Sequence, residues 1–350
     1  MDRVTKMTTE YTKLPPALLP WYRENARDLP WRRDREPYHI WISEIMLQQT
    51  RVAAVIDYYN RFLAELPRIQ DLAQVREEQL FKLWEGLGYY SRAKNLKKAA
   101  EQICESYNGN FPSDYASIRA LPGIGPYTAG AVASICFELP TPAVDGNVLR
   151  VVSRLTDDPA PIDLPETKAA VAENLAAVYP KGACGDFTQA LMELGATVCT
   201  PRSPKCERCP AADFCRARAV GTVAKLPVRL PKREKRVEEK TVFLFVFEDK
   251  LALNRRMEPG LLSGLWQLPN VPGTLDIKAA METATAFGLQ PREPVRELHR
   301  NHIFTHIRWE MTCYEIVCDA APSDLVWATL PEIKANYALP TAFRQFLPAE

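Results

Sequence analysis

Four cysteines stand in a C-x6-C-x2-C-x5-C run within this 350-residue chain. They are Cys199, Cys206, Cys209 and Cys215. Three prolines, Pro201, Pro204 and Pro210, fall inside the run. Proline lacks the backbone N–H that a helix interior needs, so no regular helix can pass through this stretch. Four thiols in a short irregular segment indicate a loop that is wrapped around a metal centre.

The spacing within the run leaves two kinds of metal centre to weigh. Zinc sites usually pair their cysteines as two C-x2-C knuckles, and only Cys206 and Cys209 have that spacing here. A cubane iron–sulfur cluster also takes four thiolates, and the wider spacing of this run suits it. We therefore predict a 4Fe-4S cluster, with zinc as the alternative.

Charge and cysteine content limit the class of protein. Lys and Arg number 44 against 43 Asp and Glu, so any basic face must come from local arrangement rather than from net charge. Nine cysteines, an odd number, do not suggest a secreted disulfide framework and favour a reducing compartment. The polar N-terminus and the lack of an apolar run of roughly 18 residues predict a soluble, cytoplasmic protein without a membrane partner.

Hydrophobic periodicity divides the chain into two halves. Residues 14 to about 220 show helical spacing, as in the segment 51–66. From about 237 the pattern becomes that of strands: TVFLFVFEDKLALNRR predicts a hairpin turning at Glu248–Lys250, and IRWEMTCYEIVC predicts another strand. The predicted fold class is multidomain, with an all-α domain over 1–222, an exposed basic linker over 223–238 and an α+β domain over 239–350.

The segment 121–129, LPGIGPYTA, places Gly123 and Gly125 between two helical patterns. Glycines permit a tight turn whose N–H groups approach an anion, and the N-terminus of the following helix adds a partial positive charge. A plain turn between helices is the ordinary alternative. The flanking Leu-Pro and Tyr-Thr-Ala favour a helix-hairpin-helix that holds DNA phosphate without reading sequence.

Two carboxyl groups stand out in the helical half. Asp145 directly precedes an apolar helical pattern, where an N-cap is its ordinary role. Glu44 interrupts the apolar run 40–47. If Glu44 faces the interior, desolvation raises its pKa and keeps it protonated near neutral pH, as a general acid requires. If it faces solvent, it has no such role.

Four motifs occur here in one order: WISEIMLQQTRV, LPGIGPYTAG, VDGNV and the four-cysteine loop. In this they resemble the adenine DNA glycosylases of the MutY type, which belong to the helix-hairpin-helix superfamily shared with endonuclease III. The likeness extends over nearly the whole chain. It implies a monomer that acts on double-stranded DNA, associated with the nucleoid in a bacterium. The expected activity is removal of adenine paired with 8-oxoguanine or guanine.

The resemblance also implies residue roles. Glu44 would protonate adenine N7, and an ionised Asp145 would stabilise the oxocarbenium-like sugar or attach to it covalently. Tyr127 stands where endonuclease III has its lysine nucleophile, so a monofunctional glycosylase is expected. Asn147 is expected to support this constellation. The residues expected to line the adenine pocket are Arg27, Arg32 and Gln189.

Further positions match residues that contact the opposite strand. Gln49 and Tyr89 correspond to probes near the lesion, with Tyr89 as a wedge between bases. The C-terminal half resembles Nudix hydrolases of the 8-oxo-dGTP type, but the segment 281–286 keeps only one of the three expected acids, so no hydrolase activity is expected. Phe304, Thr305 and His306 resemble the Phe-Ser-His loop that recognises 8-oxoguanine, with threonine in place of serine.

Overall fold

The computed structural model describes residues 9–231, 234–258, 260–322 and 324–348. Its contacts group the chain into two compact units. The first contains Met1–Gln74 and Lys94–Pro231, and the second contains Val75–Ala93 and Lys232–Glu350. The second unit therefore includes a segment from the helical half, which differs from a simple division near residue 222.

The first unit is helical, and its described residues contain no strand. Its helices are α1 (Leu14–Asn25), α2 (Pro37–Leu47), α3 (Val52–Glu65), α4 (Ile69–Gln74), α6 (Ser91–Tyr107, whose first turn belongs to the second unit), α7 (Tyr115–Ala120), α8 (Pro126–Phe137), α9 (Gly146–Thr156), α10 (Pro165–Ala176), α11 (Cys184–Thr197) and α12 (Arg216–Val220). Helix α5 (Glu77–Trp84) lies in the second unit. No described helix is both long enough and apolar enough to cross a membrane.

One hydrophobic core of the first unit joins α1, α9 and α11. Leu18, Val152 and Leu191 are all buried in it, together with Leu175 of α10. Burial of each such side chain contributes roughly 1.5–3 kcal/mol. Because α9 and α11 share this core, the N-terminus of α9 is held against the last turn of α11, where Asn147 packs on Gly195.

The second unit is built on a mixed sheet. Its strands are β1 (Arg236–Phe247), β2 (Lys250–Arg255), β3 (Trp266–Gln267), β4 (Asn270–Pro272), β5 (Pro291–Ile303), β6 (Ile307–Cys318) and β7 (Val326–Thr329). The main order is β3-β2-β1-β6-β5, with β4 paired to β1 and β7 paired to β2. Helices α13 (Ile277–Ala286), α14 (Leu330–Asn336) and α15 (Thr341–Arg344) complete it.

The strand predictions are confirmed in this unit. Strands β1 and β2 form the expected hairpin, in which Phe247 pairs with Lys250 and Glu248 has a φ of 55° at the turn. The sequence IRWEMTCYEIVC is β6, which runs parallel to β1. Strand β1 begins at Arg236, inside the stretch expected to be linker.

The segment Val75–Ala93 is tied to the C-terminal residues by polar contacts. Glu85, at the end of α5, accepts hydrogen bonds from the Leu339 N–H at 3.0 Å and from Lys82 Nζ at 2.6 Å. Lys82 also donates to the Tyr337 carbonyl at 3.3 Å. The turn that follows Glu85 carries Tyr89, so these contacts fix the base of that turn.

Candidate active site

A cavity of about 560 Å³ opens in the first unit, among α2, α8, α9 and α11. The predicted residues that line it are Arg27, Arg32, Glu44, Gln49, Tyr127, Asp145, Asn147 and Gln189. Trp31, Gln48 and Met192 are also among its walls. The fold thus brings all four residues expected to be catalytic, and all three expected to hold adenine, to one place.

Glu44 points inward from α2 and is 5% exposed. The Tyr127 hydroxyl donates a hydrogen bond of 2.5 Å to Glu44 Oε2. Burial raises the pKa of Glu44 to about 7, and the bond from Tyr127 acts in the opposite direction because it stabilises the carboxylate. Glu44 is therefore held close to half protonated near neutral pH.

Asp145 is the N-cap of α9, which is the ordinary role that its position before an apolar helical pattern predicts. Its Oδ1 accepts the Val148 N–H at 2.7 Å, while Oδ2 accepts Asn147 Nδ2 at 2.7 Å. Burial raises the pKa of Asp145, and these hydrogen bonds oppose that shift by favouring the carboxylate. The N-terminus of α9 adds a favourable dipole.

The side chain of Asn147 is held in turn by Arg150. Its Oδ1 accepts Arg150 Nη2 at 2.7 Å, and the same nitrogen donates to the Gly195 carbonyl at 2.8 Å. Arg150 Nε donates to the Cys199 carbonyl at 2.8 Å. A continuous chain of hydrogen bonds therefore runs from Asp145 through Asn147 and Arg150 to the first cysteine of the loop.

Two glycines let backbone segments approach closely beside Asp145. A Cβ added to Gly195 would lie 2.5 Å from Asn147 Cβ. A Cβ added to Gly130 would lie 2.2 Å from the Pro142 carbonyl oxygen, in the segment that leads to Asp145. Real carbon atoms do not approach this closely, so any side chain at either position displaces the support of the carboxylate.

Glu193 is a site residue that the sequence reasoning missed. It is fully buried on α11 and lines the same cavity. Arg27 binds it through Nε at 2.6 Å and Nη2 at 2.9 Å, and Arg32 Nη2 lies 2.8 Å from it. Burial acts to raise the pKa of Glu193, but the two guanidinium groups prevail and lower it. The signal available in the sequence was its place four residues after Gln189, on the same helix face.

The predicted helix-hairpin-helix turn joins α7 to α8. Gly123 has a φ of 76°, which favours glycine, and a Cβ there would lie 2.6 Å from Asn95 Cβ. Gly125 is the N-cap of α8, and apart from its own chain neighbours no residue has an atom within 4 Å of the position that a Cβ would take. The backbone at Gly125 is therefore open to an approaching group, as phosphate binding at a helix N-terminus requires.

Of the residues expected to contact the lesion, Tyr89, Phe304, Thr305 and His306 belong to the second unit, whereas Gln49 lines the cavity of the first unit. Thr305 Oγ1 donates to the Tyr89 hydroxyl at 3.0 Å. Tyr89 has a φ of 49° and is 45% exposed, so its ring is available rather than packed in a core. Thr305 and His306 are exposed, whereas Phe304 packs its ring edge to face on Trp309 at 4.8 Å.

The loop between β5 and β6 is held in shape by hydrogen bonds to its backbone. The Phe304 N–H donates to the Ile307 carbonyl at 2.8 Å, and Lys235 Nζ donates to the Thr305 carbonyl at 3.0 Å. This arrangement anchors Phe304 and presents the Thr305 and His306 side chains outward. Glu282, the one acid kept in the Nudix-like segment, is exposed on α13.

The four cysteines form no disulfide and line one small pocket, together with Arg154, Lys205 and Arg218. Short 3-10 turns, Cys206–Arg208 and Ala212–Phe214, replace regular helix between them. Across the described part of the chain, no three His, Cys, Asp or Glu side chains are grouped as a single metal ion would require. Four thiols around a shared pocket with basic neighbours fit a cluster of several metal ions.

Comparison with known families identifies three regions. Residues 42–177 match the HhH-GPD superfamily of base excision DNA repair proteins. Residues 199–215 match the iron-sulfur binding domain of endonuclease III, and residues 241–349 match the NUDIX domain. The predicted multidomain fold class and the iron–sulfur cofactor are confirmed.

Individual proteins are also similar over most of the chain. The adenine DNA glycosylase of Mus musculus is 35% identical over 395 residues, covering 94% of this chain and 76% of that protein. The adenine DNA glycosylase of Homo sapiens is 35% identical over 405 residues, covering 96% and 73% respectively.

Two solved structures resemble the helical part. A thermostable thymine-DNA glycosylase is 30% identical with a TM-score of 0.55, covering 63% of this chain and 100% of that one. A trapped covalent intermediate of endonuclease III with DNA is 25% identical with a TM-score of 0.52, covering 61% and 98%. The cavity residues Glu44, Tyr127, Asp145 and Asn147 lie within residues 42–177, which match the HhH-GPD superfamily.

Proposed function

Because this chain belongs to the adenine DNA glycosylases, we propose that it excises adenine paired with 8-oxoguanine or guanine in double-stranded DNA and leaves an abasic site. The observation that carries the proposal is one cavity that contains two differently supported carboxyl groups, Glu44 and Asp145. A base inside a duplex is out of reach, so the adenine has to be flipped into this cavity.

Glu44 acts as the general acid. Its pKa of about 7 provides a protonated fraction at neutral pH, and Tyr127 directs one of its oxygens. Proton transfer to adenine N7 converts a poor leaving group into a neutral one. The C–N bond then breaks, the electron pair stays with the base, and the sugar becomes an oxocarbenium-like cation.

Asp145 stabilises that cation in its ionised form. The hydrogen bonds from Val148 and Asn147 keep its oxygens in place before the reaction, so little reorganisation is needed when positive charge develops. A transient covalent link to the sugar carbon is the alternative path for the same carboxylate. Water completes the hydrolysis in either case.

Glu193 and Gln189 supply polar recognition of the base. A carboxylate accepts hydrogen bonds only, and the exocyclic amino group of adenine donates them. Arg27 and Arg32 keep Glu193 ionised and fix its direction. We include Glu193 in the adenine pocket on this ground.

Tyr127 makes the enzyme monofunctional. A phenol forms no Schiff base with the sugar, so strand cleavage does not accompany base removal. The Tyr127 hydroxyl donates a hydrogen bond to Glu44, which is consistent with a role in holding the acid in place.

Recognition of the opposite base is assigned to Tyr89, Thr305, His306 and Gln49. Tyr89 is exposed and its hydroxyl is held by Thr305, so the ring is oriented for stacking between bases. The threonine hydroxyl supplies the hydrogen bond expected of serine. Gly123 and Gly125 would hold phosphate through backbone N–H groups.

Cys199, Cys206, Cys209 and Cys215 would hold the iron–sulfur cluster. The cluster, when bound, would cross-link the loop. Its role would be structural, because hydrolysis of the base needs no electron transfer. The residues that surround it, including Arg150, then keep the loop and the N-terminus of α9 in a fixed relation.

A single-turnover assay tests the proposal. Duplexes that carry adenine opposite 8-oxoguanine, adenine opposite guanine, or thymine opposite guanine are labelled on the target strand, and half of each sample is treated with hot alkali. The strands that carry adenine are expected to be cleaved only in the enzyme-treated samples that are then treated with alkali. Cleavage without alkali would refute the monofunctional assignment, and preference for thymine would refute the base specificity.

A further inference from the structure

Arg154 is the most unusual charged group outside the cavity. It lies on α9 and is 2% exposed. Its Nε donates to the carbonyls of Val223 at 3.1 Å and Leu226 at 3.0 Å. Its Nη1 and Nη2 donate to the carbonyls of Thr200 at 2.8 Å and Pro201 at 3.0 Å. The guanidinium therefore joins the segment that begins the cysteine loop to the segment that follows it.

Arg154 also touches two of the four cysteines. Nη1 lies 3.4 Å from Cys199 Sγ, and the Arg154 carbonyl oxygen lies 3.5 Å from Cys215 Sγ. These Sγ atoms stand for the thiolates of the assembled cluster. A thiolate accepts hydrogen bonds and does not donate them, so only the contact from Nη1 to Cys199 stays attractive when the cluster is present.

Among the described residues, no carboxylate is hydrogen-bonded to the Arg154 guanidinium. Its partners in the described part of the chain are carbonyl oxygens and one sulfur. A buried cation is ordinarily paired with an anion, because desolvation without compensation is costly. Arg218 lines the same pocket but is 46% exposed and lies 4.0 Å from Asp213, so solvent and that carboxylate already balance it.

We propose that Arg154 is the buried counter-charge and sulfur hydrogen-bond donor of the iron–sulfur cluster. Four thiolates leave the ligated cluster with net negative charge, and Arg154 is the buried cation that lines their pocket and contacts a sulfur. Arg150 is also buried, but it binds the Cys199 carbonyl and Asn147. Positive charge and N–H donors near the sulfurs stabilise the more reduced form of a cluster and so raise its reduction potential. Arg154 is thus a positioning residue for the cofactor, whichever base the enzyme removes.

The test compares Arg154→Lys, which keeps the charge, with Arg154→Gln, which keeps donors without charge. Arg218→Gln is the matched control, because it removes an exposed cation from the same pocket. Iron and sulfide content, cluster absorbance during exposure to dioxygen, and the midpoint potential are measured on full-length protein. Circular dichroism reports folding separately.

The expected result is a lower potential and a several-fold faster loss of cluster absorbance in Arg154→Gln, an intermediate effect in Arg154→Lys, and no change in Arg218→Gln. Equal potentials in Arg154→Gln and the unsubstituted protein would overturn the proposal. If Arg154→Gln does not fold, Arg154→Lys decides the question. Retained iron with a potential somewhat below that of the unsubstituted protein supports the proposal, whereas an unchanged potential, or a folded Arg154→Lys that retains no iron, refutes it.

Discussion

Replacing Tyr127 with Phe removes one hydrogen bond from Glu44 and leaves the ring in place. The bond measures 2.5 Å and reaches a carboxyl group that is 5% exposed. It stabilises the ionised form of Glu44, which is why it lowers a pKa that burial has raised to about 7. Its loss is therefore expected to raise the pKa of Glu44 further.

The size of the shift follows from the energy of such a bond. A hydrogen bond to a charged group contributes about 1.5–3 kcal/mol, and one pKa unit corresponds to about 1.36 kcal/mol. Solvent screening is weak because Glu44 is buried. The Tyr127→Phe substitution should move the pKa of Glu44 upward by about one to two units.

The measurement is the single-turnover excision rate as a function of pH. The protonated form of Glu44 is active, so the rate should fall about tenfold for each pH unit above its pKa. A separate fall at low pH is expected where Asp145 becomes protonated, because the mechanism needs that carboxyl group ionised. In Tyr127→Phe this alkaline fall should begin about one to two pH units higher. The maximum rate is recorded separately, because loss of orientation can lower it without moving the midpoint of the alkaline fall.

Tyr115→Phe serves as the control, since Tyr115 lies in α7 and has no hydrogen bond to Glu44. A midpoint that stays fixed in Tyr127→Phe, or moves to lower pH, would show that Glu44 is not the titrating acid or that the bond does not control it.

Substitutions at four further positions test the catalytic site and the loop between β5 and β6. Glu44→Gln should abolish excision yet raise the free energy of unfolding at pH 8 by about 3 kcal/mol. The reason is that the pKa of Glu44 is higher in the folded state, about 7, than in the unfolded state, so the protein with Glu44 loses stability as the pH rises through 7. Equal denaturation midpoints of the two proteins at pH 8 would contradict this. Asp145→Asn should lower the excision rate by about 10²–10³-fold while duplex binding, measured by fluorescence anisotropy, persists; an unchanged rate would refute its role. Gly195→Ala should push on Asn147 and slow excision by about 10²-fold without loss of the fold; a normal rate would show that the helix yields. Thr305→Ala should reduce the preference for 8-oxoguanine over guanine by about 2–10-fold, whereas Thr305→Ser should retain it. Equal preference in both variants would show that the hydroxyl group plays no part in lesion recognition.

The sequence alone was sufficient where local pattern carries the information. The spacing of Cys199 to Cys215 indicated the iron–sulfur loop, and this is confirmed by the matched family. Alternation of apolar residues predicted the hairpin at Glu248 and the strand Ile307–Cys318, because side-chain period reflects the backbone geometry directly.

Tertiary structure decided what depends on neighbours that are distant along the chain. Glu44 is a strong candidate acid because α2 buries it and Tyr127, 83 residues away, donates to it. Glu193 lines the same cavity, and its carboxylate is held there by Arg27 and Arg32, which are 166 and 161 residues away. The grouping of Val75–Ala93 with the C-terminal residues likewise could not be read from periodicity. The pKa of a side chain depends on its burial and on the charges near it in space, and the lining of a pocket depends on which segments meet there. The spacing of residues along one segment encodes neither of these.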